Sequence, residues 1–298
     1  MHKLTSSLLI AGTAAGIALS QSAVAADAPA APYTLTANVG LYSQYVFRGL
    51  TQTNGDPAIQ GGFDFTHSSG FYLGTWASNI SWLKENATTS TTTTGTYKNG
   101  GSMEWDFYGG YKGSVSDFGY DVGLLQYYYP GDVNSTTPST PKANTLEGYI
   151  AGSWKWFTLK YSHALSDNVF GTKDARGTSY WDLSANFPIA DTGLTFGAHY
   201  GVQTYKGRDD RLAAGVNNDQ AYSYDDWKVS LSYDLSKAGK TFDGMTVDVA
   251  YTDTHGANCY GYGAYTTTCT VNGVSSLTGA YPKKISGGNS TVWISKTF

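Results

Sequence analysis

Long stretches of the chain alternate between apolar and polar residues, and the clearest of them lies at residues 33–49. The odd positions carry the apolar side chains Leu35, Ala37, Val39, Leu41, Tyr45 and Phe47, whereas most even positions are polar or glycine: Thr34, Thr36, Asn38, Gly40, Gln44 and Arg48. Successive side chains of a strand point to opposite faces, so this pattern predicts a strand with one apolar face. Strands that cross a bilayer take roughly 9–11 residues and alternate in this way. We therefore predict the first strand of a transmembrane barrel, with Tyr45 and Phe47 outward.

Eleven further segments alternate in the same manner, at residues 59–66, 71–82, 103–112, 120–129, 146–154, 157–166, 179–189, 194–204, 224–234, 245–254 and 290–298. The connections between them are short and long in turn, and the long ones are polar loops. An even number of antiparallel strands places both termini and the short turns at one end, with the long loops at the other. The predicted fold is all-β: an antiparallel up-and-down transmembrane β-barrel of about 12 strands.

Aromatic residues of outward parity gather near the predicted strand ends. Near the short turns these are Phe71, Tyr111, Tyr120, Trp154, Phe157, Phe187, Tyr233 and Phe298, and near the long loops Phe47, Trp181, Trp227 and Tyr251. Aromatic belts of this kind sit at the two interfaces of a bilayer, whereas the aromatic core of a soluble sandwich would cluster in mid-strand. The distribution favours a membrane barrel.

The first residues predict a secretory signal peptide rather than part of the fold. A lysine at position 3 precedes an apolar stretch, and Ala23-Val24-Ala25 offers small residues for cleavage. We expect residues 1–25 to be the signal and residues 26–298 a single barrel domain in the cell outer membrane. Its expected partners are outer-membrane lipids and the barrel-assembly machinery. The formal net charge of −4 makes nucleic acid a poor partner.

The opening segment, residues 35–82, resembles the start of the TorF-type porin family of proteobacteria. The run YDVGLLQYYYPG at residues 120–131, the residues around 146–149 and the terminal SKTF add to the resemblance, which spans most of the chain after the signal. It implies an outer-membrane barrel with a pore function and without catalytic residues. The last strand also looks like the C-terminal assembly signal of such proteins, ending in Phe298, although Lys296 departs from that pattern.

Inward parity predicts a charged interior. The predicted pore-lining residues are Arg48, Asp64, Glu104, Asp106, Lys112, Asp121, Glu147, Lys160, Asp182, His199, Asp226, Lys228 and Asp248, and we also predict inward parity for Lys296. Eight strands leave an interior filled by side chains and 16–18 leave an open channel, so 12 permit a narrow pore. Inward glycines at positions 40, 62, 74, 110, 123, 197 and 201 suggest free volume.

The expected function is passive diffusion of small hydrophilic solutes or ions, with a weak cation preference because carboxylates outnumber basic side chains. One alternative is a non-conducting structural or receptor barrel whose loops bind a partner. Another is a barrel hydrolase, because the 190–193 turn places Ser184 opposite His199 with Asp182 nearby. No GxSxG or HExxH motif accompanies that pair. We therefore expect no enzyme activity and no cofactor.

Two smaller expectations concern histidine and cysteine. His163 shares the outward face with Leu159 and Tyr161, which predicts an interfacial residue rather than a metal ligand. Cys259 and Cys269 lie close together in a chain that we expect to be exported. In an oxidising compartment such a pair is expected to form a disulfide that closes a short loop.

Overall fold

This computed structural model describes residues 31–85, 97–133, 141–257, 259, 268–271, 274–277 and 285–298. The predicted signal peptide and parts of three predicted long loops lie outside the described residues. The barrel strands, in chain order, are β1 (Tyr33–Tyr42), β2 (Ala58–His67), β3 (Phe71–Asn79), β4 (Met103–Val115), β5 (Phe118–Tyr128), β6 (Thr145–Trp154), β7 (Phe157–Ala164), β8 (Ser179–Ile189), β9 (Leu194–Thr204), β10 (Tyr224–Asp234), β11 (Met245–His255) and β12 (Asn289–Thr297).

These twelve strands form a closed antiparallel barrel, which confirms the predicted fold class. Each strand pairs with its neighbours in this order, and β12 closes the barrel on β1, where Leu41 faces Ile294. The last residue is part of the closure, since the backbone amide of Phe298 donates to the carbonyl of Ala37 at 2.8 Å. Every predicted strand except the first is correct to within three residues at each end, and the early ends of the first and the third are described below.

Few other elements are regular. Short helices are α1 (Trp82–Glu85) and α2 (Asn218–Tyr222), and 3-10 turns span Leu235–Ala238 and Lys240–Phe242. Three small antiparallel pairs join Val46–Phe47 to Leu50–Thr51, Tyr97–Gly100 to Gly131–Val133, and Thr268–Val271 to Val274–Leu277. Within the described part of the chain, no helix is long and apolar enough to cross a membrane.

The outer face of the barrel is apolar. Leu35 and Phe63 are each 68% exposed, and the same face of other strands presents Leu73, Val122, Ile150 and Val249. Aromatic side chains are exposed at both ends of this face, for example Phe71 and Trp154 at the short turns and Trp181 and Tyr251 at the other end. A soluble monomer rarely exposes an apolar surface of this extent. The surface suits contact with lipid chains.

The first strand is shorter than predicted, and the prediction that Tyr45 and Phe47 face outward is wrong. β1 ends at Tyr42, and residues 43–57 fold into the barrel; we call them the inward loop. Left-handed backbone at Arg48 and Gly49 turns its short hairpin. Tyr45 is 4% and Phe47 8% exposed, and the ring of Phe47 meets that of Tyr127 edge-on. The apolar residues continue at odd positions because these two rings are buried against other protein side chains. An alternation with a period of two does not tell whether an apolar side chain contacts protein or lipid.

The third predicted strand, residues 71–82, also ends early. β3 stops at Asn79, and Trp82 begins the short helix α1, where its side chain is buried. Trp82 packs edge-on against Tyr129, with ring centroids 5.7 Å apart. The ring of Trp82, which the sequence placed at the end of the strand, is thus covered by another aromatic side chain.

Candidate functional site

The interior of the barrel holds almost all of the predicted charged side chains. Twelve of them lie on the inner faces of strands: Asp64 on β2; Glu104, Asp106 and Lys112 on β4; Asp121 on β5; Glu147 on β6; Lys160 on β7; Asp182 on β8; His199 on β9; Asp226 and Lys228 on β10; and Asp248 on β11. Arg48 reaches the interior from the inward loop. Their role in lining a pore stays a prediction.

The assignment of Lys296 to the interior is wrong. Its strand partners are Val39 and Met245, and it shares parity with the exposed residues Val292 and Ile294. Its ammonium group donates to the backbone carbonyl of Asp243 at the end of the barrel that holds the short turns. Of the predicted interior residues, all of them within the described ranges, eight carboxylates therefore stand against four Lys or Arg side chains and His199, a larger acidic excess than predicted.

The half of the interior nearest the long loops is crossed by the inward loop. Arg48 is 4% exposed and donates to both carboxylate oxygens of Glu147, at 3.0 and 2.7 Å, and to Gln203 at 2.9 Å. The hydroxyl of Tyr224 donates to the Arg48 carbonyl at 2.9 Å. These partners are on β6, β9 and β10, across the barrel from β1 and β2, which hold the ends of the loop.

Aromatic rings enclose the same guanidinium group. Its carbon lies 4.2 Å from the ring centroid of Tyr180 and 4.9 Å from that of Phe47. A planar guanidinium suits both a two-point bond to a carboxylate and stacking on rings, and a buried charge requires such partners. Arg48 therefore holds the inward loop against the far wall in this half of the interior.

Beside the loop, two more carboxylates are buried on β4. Glu104 accepts hydrogen bonds from the hydroxyls of Tyr45, at 2.7 Å, and Tyr129, at 2.8 Å. Asp106 is 0% exposed, and neither of its carboxylate oxygens has a hydrogen-bond partner within the described residues. Parity placed both residues inside, but nothing in the sequence separates the bonded carboxylate from the unbonded one.

The half nearest the short turns is organised by tyrosines and is less tightly filled. Tyr108 donates to Asp64 at 2.6 Å, and Tyr72 donates to Asp121 at 2.7 Å. Lys112, Asp121 and Lys160 are only partly buried, so water reaches charged groups there. The ammonium of Lys160 lies 4.1 Å from the ring centroid of Tyr149.

The inward glycines do not leave free volume, contrary to the prediction. An added Cβ at Gly74 would overlap the ring of Tyr108, and one at Gly123 would overlap Tyr149. Gly201 stands in the same relation to Tyr180. Each of these three glycines makes room for a tyrosine ring on a neighbouring strand, so the space beside it is occupied.

The predicted juxtaposition of Ser184 and His199 is correct, since the two are direct partners across β8 and β9. The Ser184 hydroxyl donates to Asp182 at 2.5 Å and lies 3.2 Å from Nδ1 of His199. Nε2 of the same ring lies 3.1 Å from both Asp226 and the Tyr180 hydroxyl. The serine donates to a carboxylate instead of to a free imidazole base, so the group is not arranged as a catalytic triad.

The loops between β7 and β8 and between β9 and β10 form an ordered cluster that the sequence did not predict. The buried carboxylate of Asp209 accepts from the backbone amides of Lys173, at 3.0 Å, and Arg211, at 2.9 Å, and from the Arg211 guanidinium. Burial alone would raise the pKa of Asp209, but these hydrogen bonds outweigh it and hold that pKa below its ordinary value. The amide of Asn218 ties the loops further, donating to Lys206 at 2.8 Å.

The late loop carries both cysteines. Cys259 is buried and takes part in a disulfide. The side chain of Cys269 lies outside the described residues, so the pairing of the two stays a prediction.

Comparison with known proteins gives a family and several distant structural likenesses. A family model described as "Bacterial protein of unknown function (Gcw_chp)" matches residues 26–279. No curated protein matches the sequence. The TorF-type assignment is not shown by this match and stays a prediction.

The fold is similar to solved structures of low identity. A KdgM porin shares 10% identity over 88% of this chain and 99% of its own, with a TM-score of 0.44. A NanC porin shares 12% over 88% of this chain and 98% of its own, also with a TM-score of 0.44. The outer membrane protein OprD from Pseudomonas aeruginosa shares 11% over 89% of this chain and 65% of its own, with a TM-score of 0.38.

Proposed function

The chain belongs to the Gcw_chp family of bacterial proteins of unknown function, and we propose that it is an outer-membrane channel for passive diffusion of small hydrophilic solutes or ions. One observation carries the proposal. The barrel is apolar outside, yet its interior keeps partly exposed charged groups, including Lys112, Asp121 and Lys228. Charged groups reached by water inside a closed barrel are what an aqueous passage requires.

Its place is the outer membrane. The apolar band and the aromatic side chains at its two ends fit a bilayer, and closure leaves no unpaired strand edge within it. The expected partners remain membrane lipids and the assembly machinery, which would recognise the last strand and Phe298. Export depends on the predicted signal peptide.

The passage is narrow. Twelve strands enclose more space than eight but less than the 16–18 of wide porins. The inward loop narrows the half nearest the long loops, where Arg48, Glu147 and Gln203 are all buried. Such a constriction favours ions and small solutes over large ones.

Selectivity follows the charge balance. Eight interior carboxylates against four Lys or Arg side chains raise the local concentration of cations. Three of the basic groups, Lys112, Lys160 and Lys228, are partly exposed and oppose this effect. The proposed preference for cations is therefore weak.

The test is single-channel recording of purified, refolded protein in a planar bilayer under a salt gradient. We expect discrete small steps and a reversal potential of the sign that cation preference gives. Lys112→Met should strengthen that preference, and Asp121→Asn, its direct strand partner, should weaken it. Protein shown to be folded that gives no steps would overturn the channel. Steps with a reversal potential at zero or of opposite sign would overturn only the selectivity.

The ordered loop cluster around Asp209 supports a second candidate, a receptor barrel whose loops bind a partner. A defined loop surface is more than a passive barrel needs. Replacing residues 207–221 by a short linker would discriminate the two, because a receptor would lose binding while any conductance persisted.

A further inference from the structure

Asp106 is a buried carboxylate without a hydrogen-bond partner among the described residues. It is 0% exposed, and its strand partners Trp76 and Tyr127 are themselves buried. An ionised carboxylate removed from water and left unbonded is strongly destabilising, and unbonded buried groups often mark a ligand.

The surrounding charges do not balance. Glu104 lies two residues away on the same face of β4 and is 1% exposed, and its bonds come from the neutral hydroxyls of Tyr45 and Tyr129. The second carboxylate that acts on Asp106 is Glu147, which is already paired with Arg48. Among the described residues, no cationic side chain is thus bonded to either of the two buried carboxylates, Asp106 and Glu104.

We propose that Asp106 and Glu104 bind a monovalent cation, Na⁺ or K⁺, beside the inward loop. Hard cations prefer oxygen ligands such as carboxylates. The described residues contain no group of three or more His, Cys, Asp or Glu side chains suited to a metal ion, so the proposed site offers these two carboxylates and no third ligand of that kind. An alkali cation supplies the missing positive charge with fewer fixed ligands.

The cation would stabilise the constriction as well as β4. Glu104 is bonded to Tyr45 of the inward loop and to Tyr129 at the end of β5, so a cation on Glu104 strengthens the wall to which the loop attaches. The proposed cation site goes beyond solute diffusion. Its test measures stability and not conduction, so the cation site can fail while the proposed channel still holds, and the reverse.

The experiment is thermal unfolding of the full protein in detergent micelles, followed by circular dichroism at fixed pH and ionic strength. NaCl or KCl is exchanged stepwise for choline chloride. The unfolding temperature should rise with Na⁺ or K⁺, because a ligand of the folded state alone stabilises it by mass action. Asp106→Asn should abolish this dependence. Asp64→Asn is the matched control, since Asp64 has a partner in Tyr108, and it should retain the dependence.

Three outcomes would overturn the proposal. One is an unfolding temperature of the wild type that is equal in choline and in Na⁺ or K⁺. Another is a cation dependence that persists in Asp106→Asn or, if that variant does not fold, in Glu104→Gln. The third is a wild type that loses stability as the pH rises with no response to cation identity, which would show that a proton occupies the site instead.

Discussion

The two halves of the barrel interior are built from the same strand alternation but differ in what covers their charges. Towards the long loops, Arg48 and Glu147 are buried by a loop that crosses the interior. Towards the short turns, Lys112 and Asp121 are direct strand partners that remain partly exposed. The comparison teaches that strand parity decides which residues face inward, whereas the loop decides whether water reaches them.

The largest effect should come from breaking the buried ion pair. Glu147→Ala leaves the Arg48 guanidinium buried without its carboxylate, which should cost about 3–5 kcal/mol of folding free energy. Lys160→Met, in the partly exposed half, removes a charge with no ion pair within the described residues and should cost less than about 1 kcal/mol. Urea unfolding in lipid vesicles measures both. Equal losses would show that the two halves do not differ in this way.

A smaller effect should follow from filling a glycine position. Gly74→Ala places a Cβ where the ring of Tyr108 lies, so the ring must move and its hydrogen bond to Asp64 weakens. We expect a loss of about 1–3 kcal/mol. Gly148→Ala is the control, because its Cβ would lie 3.5 Å from the nearest side-chain atom, on Leu165. If both variants unfold at the same urea concentration, the ring of Tyr108 does not pack against Gly74 as described.

The smallest effect concerns the loop cluster above both halves. The pKa of Asp209 is below its ordinary value, so its contribution to stability is complete above the unfolded pKa of about 3.9 and is lost as the pH falls through the lower, folded value. Acid should therefore release the loops before the barrel unfolds. The protection of the Lys173 and Arg211 amides from hydrogen exchange, measured relative to the intrinsic exchange rate at each pH, should fall below about pH 4.

Asp209→Asn should speed that exchange already at neutral pH. Asp210→Asn is the control, because Asp210 is bonded only to the Lys173 ammonium in the described structure and is mostly exposed. Protection factors that do not change between pH 7 and pH 3 would contradict the assignment of Asp209 as the centre of the cluster.

Much of this architecture could be predicted because strand parity and short turns are local. The 190–193 turn sets the register of β8 and β9, so Ser184 opposite His199 follows from counting. Arg48 lies inside the barrel as predicted, but strand parity is not the cause, because Arg48 lies in the inward loop and not on a continuation of β1. Tyr45 and Phe47 kept the apolar parity while facing protein.

Other features depend on contacts between segments far apart in the chain. The bond of Arg48 to Glu147 and Gln203, and the unbonded state of Asp106, depend on where a loop settles within the barrel. The packing of the Tyr108 ring over Gly74 depends on which residues of two separate strands become partners. No local pattern carries this information.

The central claim is that the inward loop limits passage through an otherwise wider barrel. Tyr42 and Ala58 are direct strand partners, so an Asn-Gly turn can replace residues 43–57 and close the hairpin. The measurement is the single-channel conductance of this variant beside the wild type and Asp56→Asn, a control at an exposed loop position. We predict small steps from the wild type and the control, and steps several-fold larger from the loop-replaced barrel. Folded, loop-replaced protein with steps of wild-type size, or none, would contradict the account.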